Sequence, residues 1–498
     1  MSEKAVIISI VTVFIIIASL GLSPLPAPYG DNARYLILAR SFLEGKVMRL
    51  INFPDEPLET KVQPLYPLFL AFLMRLFGYR LLILKVSSLV FMALAVVFFY
   101  LTMRRLQIAR FVRLTVLVLL VLNPFFLEYS RVVLSEASFI FLLSLVVLFF
   151  TEYELQGRVR LLLVGLFFAV SMAFIRDASI IAILAIAGLL AGRRQYKISL
   201  AVFFLTAAIG ALWLYKNIYV KTGYLREFIG AGNYLEPFAG TISPGAFIRR
   251  YVYEAAAYVG DIFPDLIIPV AKGIAPHSRF WLLKIVFGLV CFSLTGLGLL
   301  KLRAQTKARF FLVFPLWYVF CLPLFGTYGI RYLIPAWFFI AMFMVYGLSA
   351  LSRRTSRGII VGLTIAFVVL YIVEEKKNIA YIRQGFPGAV AHYYNALGFL
   401  REKAELCPHD VIMCRKPFLA FILSEHKTIG YPYTLDTEEM YEYIKSSQAR
   451  FLIVDSWVMA NKSFSRMYLL PTVQAYTESF RLVYATEDPV TEVYEVIR

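Results

Sequence analysis

The chain has 498 residues, 60% of them hydrophobic, and a net charge of +18, with a mean hydropathy of +0.73. Such apolar content excludes a water-soluble globular protein and indicates a polytopic membrane protein. In that setting the positive charge is read as basic loops held on the cytoplasmic side, and nucleic-acid binding drops out.

In chain order, the apolar run over 5–22 reads as an uncleaved first transmembrane helix with its N-terminus in the cytoplasm. A signal peptide is the alternative, but Pro24, Pro26 and Pro28 make a poor small-residue cleavage site. The first outer loop, 23–80, is too long and polar for a simple turn. Asp31 follows the first span directly, and a carboxylate there needs water or a polar cleft. Arg34 lies one helical turn on, and Lys61 comes from later in the same loop. Apolar residues at helical spacing over 32–44 predict an amphipathic surface helix, and the apolar run 68–77, too short to span, predicts a second interfacial helix.

Further apolar runs cover 81–103, 111–129, 134–150, 161–174, 178–191, 198–218, 280–300, 310–325, 332–351 and 358–373, giving about eleven spans with the first. One set of alternate loops is rich in Arg and Lys (Arg104, Arg105, Arg193, Arg194, Arg353, Arg354). The other carries acids (Asp31, Glu136, Asp177, Asp261). This segregation puts the basic set in the cytoplasm and, for an odd span count, the C-terminal tail outside. The long outer loop 221–279 carries one helical pattern around 246–259 and reads as a lid or a spacer.

The division is therefore a membrane domain, 1–375, and a soluble extracytoplasmic domain, 376–498. The latter alternates helical and strand patterns, as a compact α/β domain does. Strands are expected at 411–415 and 451–455, a closing hairpin at 481–486 and 492–497, and helices at 393–405 and after Asp436, which opens a capping box with an acid three residues on. Cys407 and Cys414 are close enough in sequence for a disulfide if this part meets an oxidising space. Cys291 and Cys321 read as buried small hydrophobes.

Two acids and several bases at the outer edge carry the chemistry. Asp31 and Glu136 can each take a proton from a hydroxyl nucleophile or orient a substrate. Each can equally serve as an N-terminal helix acid. Arg331, entering a span from the outer side, runs against the charge trend, as do Lys61, Arg34, Arg131 and Arg176. Binding a lipid phosphate is the favoured reason for Arg331, with a salt bridge or snorkelling as alternatives. For Arg176 the neighbouring Asp177 is one such salt-bridge partner. Arg131, Tyr328 and Tyr332 are further candidates to line a substrate. The chain has no nucleotide-binding Gly-rich loop, His-Glu-x-x-His, Asp-x-Asp or Trp-Trp-Asp, so no metal or other cofactor is expected.

The segments Tyr-Gly-Asp-Asn-Ala-Arg-Tyr after span one, Lys61 ahead of Pro-Leu-Tyr-Pro, Arg131 to Glu136, and Arg331-Tyr-Leu-Ile-Pro resemble, in order and topology, the GT-C integral-membrane glycosyltransferases. The likeness is to family 39, the protein O-mannosyltransferase and aminoarabinose transferase group. The resemblance implies a monosaccharide donor on polyprenyl or dolichyl phosphate and an acceptor hydroxyl on a protein, lipid or glycan outside the membrane. It also implies Asp31 as general base, Lys61 and Arg331 on the donor phosphate, and Glu136 on the acceptor side; Arg34, one turn from Asp31 on the same helix face, is read from the sequence as a further base for an anionic ligand. Asn32 stands where many members have Glu. The competing readings are a transporter or flippase of a lipid-linked substrate and a membrane-anchored binding protein working through its C-terminal domain.

Overall fold

The computed structural model describes residues 2–28, 30–219, 244–274, 278–306, 308–325, 329–351, 356–402, 410–458, 463–488 and 490–497. The chain opens with α1 (Glu3–Leu20), α2 (Gly30–Leu43) and α3 (Leu65–Phe77), followed by α4 (Leu81–Arg105), α5 (Arg110–Leu122), α6 (Pro124–Ser130) and α7 (Ser135–Gln156). Next come α8 (Val159–Ala173), α9 (Ile180–Gly192), α10 (Tyr196–Tyr219), α11 (Pro244–Ala257) and α12 (Phe263–Ile267). The membrane part closes with α13 (Trp281–Gln305), α14 (Phe310–Cys321), α15 (Ile330–Leu351) and α16 (Ser356–Arg383).

Seven helices among the described residues, α1, α4, α7, α10, α13, α15 and α16, are long and apolar enough to cross a membrane, and the bent pair α5–α6 raises this to eight. The expected spans at 161–174, 178–191 and 310–325 are helical but shorter. At 1.5 Å per residue, 15 residues reach only about 22 Å of a core about 30 Å thick. The run 111–129, read as one span, breaks by 62° between α5 and α6. The cause is local. Pro124 pushes Asn123 into an extended conformation, and the Asn123 side chain then caps α6 by accepting from the N–H groups of Phe125 and Phe126 at 3.0 and 3.2 Å. Both short helices of the first loop form, as α2 and α3, but α2 is not the expected amphipathic surface helix: Tyr35 to Ala39 are all buried, because α3 and the helix over Pro417–Ser424 cover it.

Without a hydrophobic drive between helices in lipid, close packing depends on small residues. Gly298 of α13 and Gly347 of α15 let the two backbones touch: a Cβ on Gly298 would collide with the Phe343 carbonyl oxygen, and one on Gly347 with that of Leu294. Gly347→Leu is expected to force the pair apart and to lower thermal stability in detergent by ~1–3 kcal/mol or more; an unchanged melting temperature would refute this close contact.

The compositional change at 375 falls inside α16, which runs on to Arg383. Beyond it, α17 (Ala389–Glu402), β1 (Val411–Met413), α18 (Pro417–Ser424), β2 (Lys427–Ile429), α19 (Thr437–Ser446), β3 (Ala449–Val454), β4 (Phe480–Ala485) and β5 (Glu492–Val496) build the small domain. Its sheet has the order β2-β1-β3-β5-β4. β1 lies parallel to β2 and β3, and β5 pairs antiparallel with β3 and β4. The expected strands and closing hairpin are present, and β2 is additional. Asp436 caps α19 by accepting from the N–H groups of Glu438 and Glu439. The capping box is only half made, because the Glu439 carboxylate accepts from the Thr434 hydroxyl at 2.7 Å instead of returning to Asp436. Cys414 is buried beside β1, whereas Cys407 lies outside the described residues, as do 221–243 and 275–277 of the loop 221–279. The helix expected near 246–259 corresponds to α11.

The two domains are joined through the first loop. The Thr428 N–H donates to Asn52 O at 2.7 Å, extending the β2 edge. Lys427 Nζ donates to Ile51 O and to Glu56, both at 2.8 Å. Phe418 of α18 packs edge-on against Phe53 at 5.7 Å between centroids and lies under the Arg34 guanidinium at 4.5 Å.

Candidate active site

α2 opens at Gly30, after a proline-rich irregular segment, so Asp31 occupies its first turn, where free N–H groups and the helix dipole favour a carboxylate. Arg331 sits in the first turn of α15 and bridges two acids. Its Nη1 is 2.5 Å from Asp31 Oδ2 and its Nε 2.6 Å from Glu136 Oε1. Arg176, from the turn after α8, places Nη1 2.6 Å from the same Glu136 oxygen. The Tyr35 hydroxyl donates to Ser135 Oγ at 2.7 Å, and Arg176 Nη1 also reaches that oxygen at 3.5 Å.

Burial grades this cluster. The Glu136 side chain is 0% exposed, that of Arg331 25% and that of Asp31 41%, so Asp31 is the member open to an incoming molecule. The surrounding protein pushes the Asp31 carboxyl up, but Arg331, then Arg34 and Arg176, outweigh it and hold the group below the usual aspartate range. Burial likewise opposes the charge of Arg176, and Glu136 more than restores it.

The sequence candidates separate here. Asp31, Glu136 and Arg331 converge, and the salt bridge offered as the alternative for Arg331 is present. Arg34 pairs with Glu59 at 3.4 Å beside this cluster. Lys61 is half-buried in the adjoining loop, its backbone N–H donating to Glu59 Oε1 at 2.6 Å. Two residues on, Gln63 Nε2 donates to Asp177. Tyr332 is half-buried at the rim, with the guanidinium groups of Arg331 and Arg176 at 5.4 and 5.8 Å from its ring. Tyr328 lies outside the described residues.

Two expectations need correction. Arg131 does not line a cleft: it is 2% exposed and paired with Glu375 of α16 at 2.6 and 3.1 Å, because Gly21, where any Cβ would strike its guanidinium, lets it pass beneath the end of α1. Glu136 does not face an acceptor: fully buried, it orients two guanidinium groups instead. Glu136→Gln is therefore expected to leave lipid-phosphate binding measurable while lowering turnover by up to about 10²-fold, through misplacement of Arg331 and Arg176. Wild-type turnover would remove Glu136 from the site.

Sequence reasoning missed three contributors. Asn32, 0% exposed, orients its amide to donate to Val133 O at 3.1 Å and to accept from the Ala27 N–H at 3.0 Å, tying α2 to the approach to Glu136. Lys85, inside α4, donates to Ser23 O and Leu25 O at 2.7 and 2.6 Å; a lone lysine in an apolar span was the available signal. Lys416, from the C-terminal domain, donates to Pro28 O at 3.0 Å, three residues before Asp31, and stands 4.1 Å from the centre of the Trp457 ring. Burial, with Arg415 alongside, pushes its ammonium down to about 8, against the pull of Asp455 and Asp31.

Fold and site together define an integral membrane protein that gathers acids and arginines at the junction of its helices with a small α/β domain. Residues 55–219 match the family described as dolichyl-phosphate-mannose-protein mannosyltransferase. Among solved structures, the chain is similar to ArnT from Cupriavidus metallidurans in the apo state, with a TM-score of 0.59 and 12% identity over 99% of this chain and 98% of that one. It is also similar to ArnT from the same organism bound to undecaprenyl phosphate, with a TM-score of 0.57 and 12% identity over 99% of this chain and 97% of that one. No curated protein matches the chain. The chain shares the fold of ArnT.

Proposed function

We propose that the protein is a glycosyltransferase that moves a monosaccharide from a polyprenyl-phosphate carrier to an acceptor hydroxyl, without a metal ion, on the extracytoplasmic side of the plasma membrane. In this arrangement the N-terminus is cytoplasmic and the C-terminal domain extracytoplasmic. The observation that carries the reading is the Arg331 bridge between a half-open Asp31 and a buried Glu136, set in a fold that ArnT shares. ArnT has been crystallised with undecaprenyl phosphate, and the match to residues 55–219 is to a family named for a dolichyl-phosphate sugar donor.

The chemistry follows from the charges. A phosphate leaving group needs cations, and Arg331, with Arg176, Arg34 and Lys61 nearby, supplies them. Asp31 and a lipid phosphate compete for the same guanidinium. A phosphate that takes Arg331 removes the charge that depresses the Asp31 carboxyl, and so raises its basicity where an acceptor hydroxyl must lose a proton. Glu136 holds Arg331 and Arg176 in place throughout. The test is incubation of purified protein with a panel of polyprenyl-phosphate sugars, reading donor consumption and product mass. Turnover of at least one donor is expected. Movement of labelled lipid across proteoliposomes with no covalent product would replace this reading with that of a flippase.

A further inference from the structure

The irregular segment 21–28 between α1 and α2 is ruled by Pro24, Pro26 and Pro28. Proline has no N–H, so such a segment cannot build a hydrogen-bond ladder of its own, and its carbonyls need donors from elsewhere. They find them in side chains from three regions of the fold. Lys85 of α4 donates to Ser23 O and Leu25 O. The Tyr394 hydroxyl of α17 donates to Pro26 O at 2.9 Å. Lys416, just before α18, donates to Pro28 O. Of the three, Lys416 grips nearest to Asp31, and its own position is set by the Trp457 ring beneath it. The neighbouring Arg415 lies 5.0 Å from that ring's centre and donates to Trp457 O. α18 itself packs on α2 through Phe418 and Arg34.

We propose that the C-terminal domain is part of the transfer machinery, and that Lys416 is a positioning residue which pins the Pro28 carbonyl and thereby fixes Asp31 at the cleft. This rests on the transfer reading given above. Tyr394 and Lys416 both belong to the C-terminal part of the chain, so two of the three clamps on the segment come from outside the membrane helices. The domain thereby sets the direction from which Asp31 enters α2. Lys85 holds the membrane end of the segment, and Lys416 holds the catalytic end.

Lys416→Ala, Lys416→Arg and wild type would be compared in detergent for donor turnover and for hydrogen exchange of the segment 22–40. Lys416→Ala is expected to lower kcat by tenfold or more with little change in KM for the lipid donor. It is also expected to speed exchange in 22–40 while leaving α13 and α15 protected as in wild type. Lys416→Arg, which keeps a cationic donor, is expected to restore part of both. The exchange measurement shows that the variants are folded and needs no turnover. If wild type consumes no donor, the transfer reading fails, while altered exchange in 22–40 still supports the pinning and unaltered exchange overturns it. If wild type transfers and Lys416→Ala matches it in kcat, or raises only KM, the positioning role is overturned.

Discussion

Asp31→Asn is expected to fold, to bind polyprenyl phosphate, and to lose sugar transfer by ~10²–10⁴-fold, the range of a removed general base. The substitution keeps the shape of the side chain and its place in the first turn of α2, so only the charge and basicity change. Because Asp31 Oδ2 lies 2.5 Å from Arg331 Nη1, neutralising it leaves that guanidinium more available, and affinity for the lipid phosphate should hold or rise. Unimpaired transfer would end the assignment of Asp31 as base. Lost phosphate binding together with lost transfer would instead make Asp31 an anchor for Arg331. The pH profile adds a check. Arg331, Arg34 and Arg176 hold the carboxyl below its usual range despite the opposing effect of burial. Without donor, the carboxylate therefore stays charged below the ordinary aspartate range; its contribution to stability is full above that range and is lost progressively as pH falls through it to the depressed value of the folded protein. With donor on Arg331, the acid limb of kcat should lie at higher pH than that of kcat/KM, which reports the free protein.

Arg131→Met should be the most destabilising single change in the membrane part, by ~3–5 kcal/mol, because it strands Glu375 in a buried, charged state. The side chains of the two partners are 1% and 5% exposed, and the pair joins the turn between α6 and α7 to α16. The double variant Arg131→Met with Glu375→Leu should recover most of the loss, since two apolar side chains need no partner. Thermal unfolding in detergent reads both. Equal destabilisation of single and double variants would show that the cost lies in packing around Gly21 rather than in an orphaned charge.

Much of the membrane part is legible without coordinates, because a hydrocarbon core dictates the length and composition of anything that crosses it. The runs at 81–103, 198–218 and 280–300 become α4, α10 and α13 within a few residues. The break at Asn123 was less visible. A side chain that caps a new helix costs nothing in hydropathy, so the run 111–129 looks continuous in sequence. The same local logic recovered β3 and the closing hairpin of the small domain but passed over β2, a three-residue strand whose outer edge is completed by Asn52, several hundred residues away.

The site divides in the same way. Asp31, Arg331 and Glu136 stand out in sequence because a charge at the end of an apolar run demands a reason. Their sequence positions also suggested that Arg131 was one of them, and Arg176 a partner of Asp177. Which charges meet depends on helix packing. Arg176 crosses to Glu136, Arg131 turns away to Glu375, and Asp177 accepts from Gln63.

Alone, the sequence determined that the chain lives in a membrane, that polar groups crowd one edge of its helices, and that a small α/β unit follows. These are properties of burial and periodicity, which each segment carries for itself. Only the tertiary structure decided that Arg331 ties Asp31 to Glu136, that Glu136 is sealed from solvent, and that Lys416 of the C-terminal domain grips the segment leading to Asp31. The contacts of Arg331 and Lys416 join residues at least 195 positions apart, and an ion pair or hydrogen bond over a few ångströms leaves no periodic trace in the residues that make it.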